Sequence, residues 1–263
     1  MDVIVSGRSV HVSTGGRVHA IGEPAVILVH GAGLDRTIWQ MQTRNIAFQG
    51  RQVYAVDLPG HGRSEGPVLE TITEMADWLI NLMDEINLEI ATLMGHSMGS
   101  LIILDAAARY SNRLERLVLT GVAETMPVHP DLLSAANTNK PLAPELIVYW
   151  GLGDQAQIGG HPLPGLWVHG ASEVLLKNAK MGVLGNDLAA CDNYGDAKHS
   201  GVKVTCPTYF VLGQDDKMTP IESGQSLAAA IDQSEVYILE KCGHMMMLER
   251  PNEMYKVLRS LIF

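Results

Sequence analysis

Cysteine is scarce in this chain. Cys191, Cys206 and Cys242 are the only three in 263 residues. An odd, scattered set of this kind forms neither a disulfide framework nor a metal pattern. Each reads as a small buried hydrophobe, and a reducing, cytoplasmic compartment is the expectation. Long apolar runs are also missing; none reaches the roughly 18 residues that a membrane-crossing helix needs. The opening stretch, M-D-V-I-V-S-G-R-S-V, has an acid at position 2 and no extended apolar core, so no secretory leader is expected. Positive charge is in short supply: 19 Lys and Arg face 29 Asp and Glu, a formal net charge of −10. Nucleic acid and anionic membranes need clustered cations, so neither is an expected partner. There is no repeat, no low-complexity tract, no His/Cys/Asp cluster at metal-ligand spacing and no G-x-x-x-x-G-K phosphate loop. No metal or cofactor is expected, and oligomeric state has no signature.

What is present is an ordinary globular composition, 46% hydrophobic, in a length that buries one large core. The first twenty residues alternate around Ser6-Gly7 and Thr14-Gly15-Gly16, as hairpin strands do. Residues 24–29 and 52–56 are continuous apolar runs, the pattern of strands covered on both faces; residues 35–49 between them predict a helix. Thr71 and Glu74 form a capping box before Ile72, Met75, Ala76, Leu79, Leu82, Met83 and Ile86, which recur at helical spacing. A strand over 90–94, a mostly apolar helix over 98–110 and a strand over 114–119 follow.

Residues 122–204 break this rhythm with repeated Pro and Gly and short helical patches at 145–150, 172–180 and 186–192. They predict an inserted helical cap. The alternation then resumes: a strand at 208–212, a helix with Thr219 as N-cap and Pro220 at its first position, a strand at 236–239, and a last helix from Pro251. Alternating strands and helices imply an α/β fold, a mostly parallel sheet with helices on both faces. Its core is expected over 1–121 and 205–263. Ligands of such sheets bind at the carboxyl ends of the strands.

Those strand ends hold the polar motifs: H-G-A-G at 30–33, D-L-P-G-H-G-R-S at 57–64, G-H-S-M-G at 95–99, G-Q-D-D-K-M-T-P at 213–220 and G-H-M-M-M-L-E-R-P at 243–251. In this order, over nearly the whole chain, they resemble the alpha/beta-hydrolase family, in particular its lidded small carboxylesterases. The G-x-S-x-G elbow and the Ser…Asp…His order are known features of that fold. The resemblance implies Ser97 as nucleophile, His244 as general base and then acid, and Asp216 as the group that orients His244. It places oxyanion donors on the backbone of Ala32 and Met98. Physical reasoning agrees with the elbow: a serine exposed between strand and helix needs small neighbours, and Gly95 and Gly99 supply them. Asp216 is preferred to Asp215 because Pro220 stands four residues beyond it, the family's spacing. Asp57 is a rival acid, but its motif resembles a structural turn of the family. His30, His61 and His96 read as supporting residues, and Met245, Met246 and Met247 as packing around the histidine loop.

The cap offers Trp150, Trp167 and Met181 as substrate-contacting candidates, with Leu175, Leu176, Leu184, His161 and His169 behind them. No arginine occurs from 122 to 200. Relatives that cleave carbon–carbon bonds usually carry one there for a substrate carboxylate, so neutral esters, short- to medium-chain or small and hydrophobic, are the expected substrates. Serine at position 97 disfavours the haloalkane and epoxide activities, which use aspartate. Lactonase, thioesterase, amidase and perhydrolase chemistry stays open on the same residues. So does a receptor-like role, binding a small ligand with little turnover.

Overall fold

The computed structural model describes every residue except 21 and 196. Among the described residues eight strands form one sheet: β1 (Asp2–Val5), β2 (Arg8–Ser13), β3 (Ala25–Val29), β4 (Gln52–Val56), β5 (Ala91–His96), β6 (Leu114–Thr120), β7 (Thr208–Gly213) and β8 (Ser234–Leu239). Their spatial order is β1-β2-β4-β3-β5-β6-β7-β8. The first two pairings are antiparallel and the rest parallel. The order reverses at β3, which lies between β4 and β5. Loops leaving β3 and β5 therefore diverge to opposite faces and open a crevice between them, the place where such sheets take their ligands.

β3 shows why the sheet is covered twice. Ile27 and Val29 point into one apolar cluster, shared with α2 (Ile72–Glu85) and α3 (Met98–Arg109). Val26 and Leu28 point into the other, shared with α1 (Gln40–Phe48) and α12 (Pro251–Ile262). Side chains alternate across a strand, so an unbroken apolar run needs partners on both sides. Each such side chain contributes about 1.5–3 kcal/mol by leaving water. The capping box of α2 forms as its sequence predicts: Thr71 accepts from the Glu74 N–H, and Glu74 accepts in return from Thr71.

Between β6 and β7 the regular elements among the described residues are helices, joined by loops: α4 (Pro130–Asn137), α5 (Leu142–Gly151), α6 (Asp154–Gln157), α7 (Val168–Lys177), α8 (Val183–Asn193) and α9 (Lys198–Gly201). Three overlap the patches read from sequence: α5 and α8 extend beyond theirs at both ends, and α7 starts and ends earlier than expected. α4 escaped that reading because Pro130 looks like a break. It sits in the first helical turn, where a missing N–H costs nothing. The apolar faces of these helices have no separate core. Leu132, Ile147, Val148 and Leu188 join the same cluster as Met245, Met246 and Met247.

Two elements differ from expectation. Residues 36–39 form a 3-10 turn before α1. α10 (Ile221–Ala228) begins without a side-chain cap, because the Thr219 hydroxyl is engaged by Asp216 instead.

Candidate active site

Ser97 closes β5 and opens α3. Its backbone is at φ 54°, ψ −118°, a conformation that costs a non-glycine residue about 1–3 kcal/mol. Neighbours hold it there. The Ser97 N–H donates to Thr120 O (2.9 Å), and Ser100 Oγ donates to Gly95 O (2.8 Å). A Cβ at Gly95 would overlap the Gly99 carbonyl, and one at Gly99 would overlap the Val29 carbonyl oxygen. The strand and helix can approach this closely only with glycine at both positions. Met98 is the first residue of α3, so its N–H has no partner within the helix.

His244 lies in the loop between β8 and α11 (Met246–Glu249). Its Nδ1 is 2.8 Å from Asp216 Oδ2, and both side chains are buried. Asp216 also accepts from the Met218 and Thr219 N–H groups and from the Thr219 hydroxyl, at 2.9, 2.9 and 2.6 Å. Burial works against its charge, but the His244 ring and these donors outweigh it and keep the carboxyl below its ordinary range. The histidine backbone is fixed from two directions: its N–H donates to Gly151 O at 2.6 Å, and its carbonyl faces His96 Nε2 at 2.9 Å. Glu249 steadies the flanks, accepting from Gly243, Met245 and Gly153 N–H at 3.1, 3.1 and 2.9 Å.

After β3 the chain turns sharply. The Leu34 N–H donates to Gly31 O at 3.2 Å, and Gly33 is at φ +66°. A Cβ at Gly31 would stand 3.2 Å from the Ser97 Cβ, so this turn lies directly against the serine. His30 supports it. Its Nδ1 faces Gly31 O at 2.9 Å, and its Nε2 accepts the Leu58 N–H at 3.2 Å. One neutral tautomer satisfies both bonds. Burial, then the neighbouring His61, pushes its pKa down to about 4. Burial, then His244, pushes His96 down to about 3. Neither ring is a charged group at neutral pH.

Ser97, His244, Ala32 and Thr219 open onto a cavity of about 390 Å³. Its walls are mostly apolar; Leu132, Ile147, Trp150 and Leu188 come from the helices between β6 and β7, and Leu34 and Met245 from the sheet side. Lys217, largely exposed, is also on the wall. Among the described residues, no three His, Cys, Asp or Glu side chains group so as to hold a metal.

A strained serine, a buried His–Asp pair and backbone N–H groups at Met98 and Ala32 are the parts with which a carbonyl can be attacked and the resulting oxyanion held. Residues 24–251 match the family model of the alpha/beta hydrolase fold. The chain belongs to that family. This hydrolase is 24% identical over 246 residues to the (E)-2-((N-methylformamido)methylene)succinate hydrolase of Acinetobacter baylyi, covering 91% of this chain and 90% of the relative. It is 25% identical over 264 residues to the uncharacterized carboxylesterase nap of Bacillus subtilis, with 93% and 83% covered. The crystal structure of the enol-lactonase from Burkholderia xenovorans LB400 superposes with a TM-score of 0.89 at 22% identity, covering 100% of this chain and 99% of that one.

The hydrolase places Ser97, His244, Ala32 and Trp150 on the cavity wall, with Asp216 behind His244 and Met98 next to Ser97 at the start of α3. It leaves Trp167 and Met181 outside, 64% and 86% exposed. Trp167 precedes α7, where its ring packs over Gly170 and stacks on His169. Met181 borders a separate groove beside Lys140 and Lys177. Leu175, Leu176, Leu184, His161 and His169 are not on the cavity wall either. Asp57 is fully buried against Arg36 (2.5 Å) and the Arg63 N–H (2.9 Å), which occupies it as a structural ion pair. Sequence reasoning missed Leu132, Ile147, Leu188 and His129 as wall residues, because α4 was not read and the facing sides of short helices leave little periodic signal. Glu249 was quoted within a motif but given no role. An acid two residues before a helix-opening proline is the signal the sequence offers.

Among the described residues no helix is long and apolar enough to cross a membrane.

Proposed function

We propose that the chain is a carboxylic ester hydrolase working through an acyl-enzyme on Ser97. Ser97 Oγ adds to the ester carbonyl while His244 Nε2 takes its proton. The tetrahedral oxyanion is met by the N–H groups of Met98 and Ala32, each such donor being worth about 10²- to 10³-fold in rate. His244 returns the proton to the leaving alcohol. Water then repeats the sequence, with His244 as base, and releases the acid. Asp216 holds the ring in the tautomer this needs and stabilises the imidazolium.

The observation that carries the reading is the pairing of a positive-φ serine with a buried His–Asp couple on one apolar cavity. At about 390 Å³ the cavity is at the small end of ligand pockets, which favours short- to medium-chain or compact esters. A lactone is a cyclic ester and opens by the same steps, so it belongs in the same substrate panel. Acids cleaved at carbon–carbon bonds are less favoured, since no arginine is among the described residues that line the cavity.

The test is turnover of p-nitrophenyl esters of rising acyl length, beside Ser97→Ala. Repeated turnover by the wild type, reduced by roughly 10⁴-fold or more in the variant, is expected. A single slow turnover would point to a receptor-like binder. Equal activity in the variant would remove Ser97 as nucleophile.

A further inference from the structure

Two buried titratable side chains beside the site have no part in that chemistry and pair with each other, His61 and Asp187. Asp187 lies on α8, and its side chain is wholly buried. One oxygen, Oδ2, accepts the Gly33 N–H at 2.8 Å and faces His61 Nε2 at 2.7 Å. The other His61 nitrogen faces Pro59 O at 3.1 Å. With an oxygen opposite each nitrogen, the ring suits the doubly protonated form. Burial opposes that charge, but the Asp187 carboxylate prevails and raises the His61 pKa. Next door on α8, Asn186 Nδ2 donates to Leu69 O at 2.8 Å, which fixes the helix in register.

Gly33 is not an arbitrary place to hold. The Gly31 O to Leu34 N–H bond closes a four-residue turn with Ala32 and Gly33 at its centre. Of these two only Gly33 has positive φ, the mark of a type II turn. The low-cost distortion of such a turn is a flip of its central peptide, Ala32–Gly33, towards type I. That flip would aim the Ala32 carbonyl at the Asp187 carboxylate, where two oxygens repel. In the present orientation the carboxylate receives an N–H. Asp187 thus fixes the Ala32–Gly33 peptide in one of its two orientations, and by that bond anchors against Ser97 the turn whose preceding peptide supplies the Ala32 N–H.

We propose that Asp187 is a positioning residue for the oxyanion hole, with His61 as its counter-charge. The same helix lines the cavity with Leu188 and Cys191. Contact with substrate and alignment of the oxyanion donor therefore run through one element. The proposal rests on the esterase reading above.

The experiment compares wild type with Asp187→Ala, Asp187→Asn and the double variant Asp187→Leu, His61→Phe. Steady-state kinetics on p-nitrophenyl acetate are paired with inhibition by a trifluoromethyl ketone, which adds to serine and leaves an oxyanion. Asp187→Ala should lose roughly 10- to 100-fold in kcat, with KM within about twofold. Ketone affinity should weaken by the same factor. Asp187→Asn still offers Gly33 an oxygen and should recover most of the loss. Should Asp187→Ala fail to fold, the double variant replaces the pair with apolar groups, a change that buried ion pairs often tolerate. It should fold and show the same kcat and ketone losses. Folded variants with wild-type kcat and ketone affinity would overturn the proposal and leave the pair a cap anchor only. So would a rise in KM at unchanged kcat. A wild type inactive on every ester would overturn the esterase reading instead, before any variant is compared.

Discussion

Asp216, after β7, and Glu249, in α11, are both buried carboxylates bonded into the loop of His244, yet their surroundings drive them in opposite directions. Asp216 meets a histidine ring, a hydroxyl and two amides, and its pKa falls. Glu249 meets three backbone amides and, among the described residues, no cation; burial outweighs those donors and its pKa rises. Hydrogen bonds alone do not hold a buried charge as cheaply as hydrogen bonds plus a group able to become positive. The first acid is suited to work beside a proton transfer and the second to shape a loop.

Exchanging each for its amide should separate the two. Asp216→Asn carries the largest expected effect, a loss of about 10⁴-fold in kcat, because the His244 tautomer is no longer specified. Its pH signature is also distinct. A lowered folded pKa gives stability above the ordinary value of 3.8 that is lost as pH falls through the folded value. Urea unfolding should show the variant furthest below wild type near neutrality, with the gap closing in acid.

Glu249→Gln should cost less activity and show the reverse trend. Its amide cannot accept all three N–H groups, so about 1–3 kcal/mol is lost at low pH. The native acid has a raised pKa, so the folded state holds its proton more tightly than the unfolded chain. Wild-type stability therefore declines as pH rises from the ordinary 4.5 towards the folded value. The variant has no such decline, and its deficit should shrink from pH 4 to pH 7. A deficit that grows over this range would mean that Glu249 is charged and stabilised, as Asp216 is.

The smallest effect tests the two tryptophans. Trp150→Ala, on the cavity wall, should shift the preferred acyl chain to longer esters, changing the ratio of kcat/KM between neighbouring lengths by roughly 10-fold. Trp167→Ala, outside it, should leave that ratio unchanged.

The sheet and the groups at its strand ends were legible because buried strands and tight turns tolerate few residue types. Ser97 between Gly95 and Gly99, and Asp216 four residues before Pro220, are positions where sterics or local hydrogen bonds leave a local trace. The cavity wall was not legible in the same way. Leu132 and Leu188 lie far apart in sequence, on helices whose facing sides only the tertiary fold decides. Large aromatic residues drew attention to Trp167, though exposed apolar side chains are common on folded proteins. The Asp187–His61 pair spans 126 residues, and nothing in the sequence near either one signals the other.

The bonds from Gly151 O to the His244 N–H, and from the Gly153 N–H to Glu249, bear on how such chains can be recombined. A chimera that grafts a relative's segment between β6 and β7 imports a new pocket wall. It also imports the carbonyl and amide that seat the histidine. Crossovers that retain residues 151–153 with the host sheet leave those two bonds native, so specificity can be exchanged without dismantling the base.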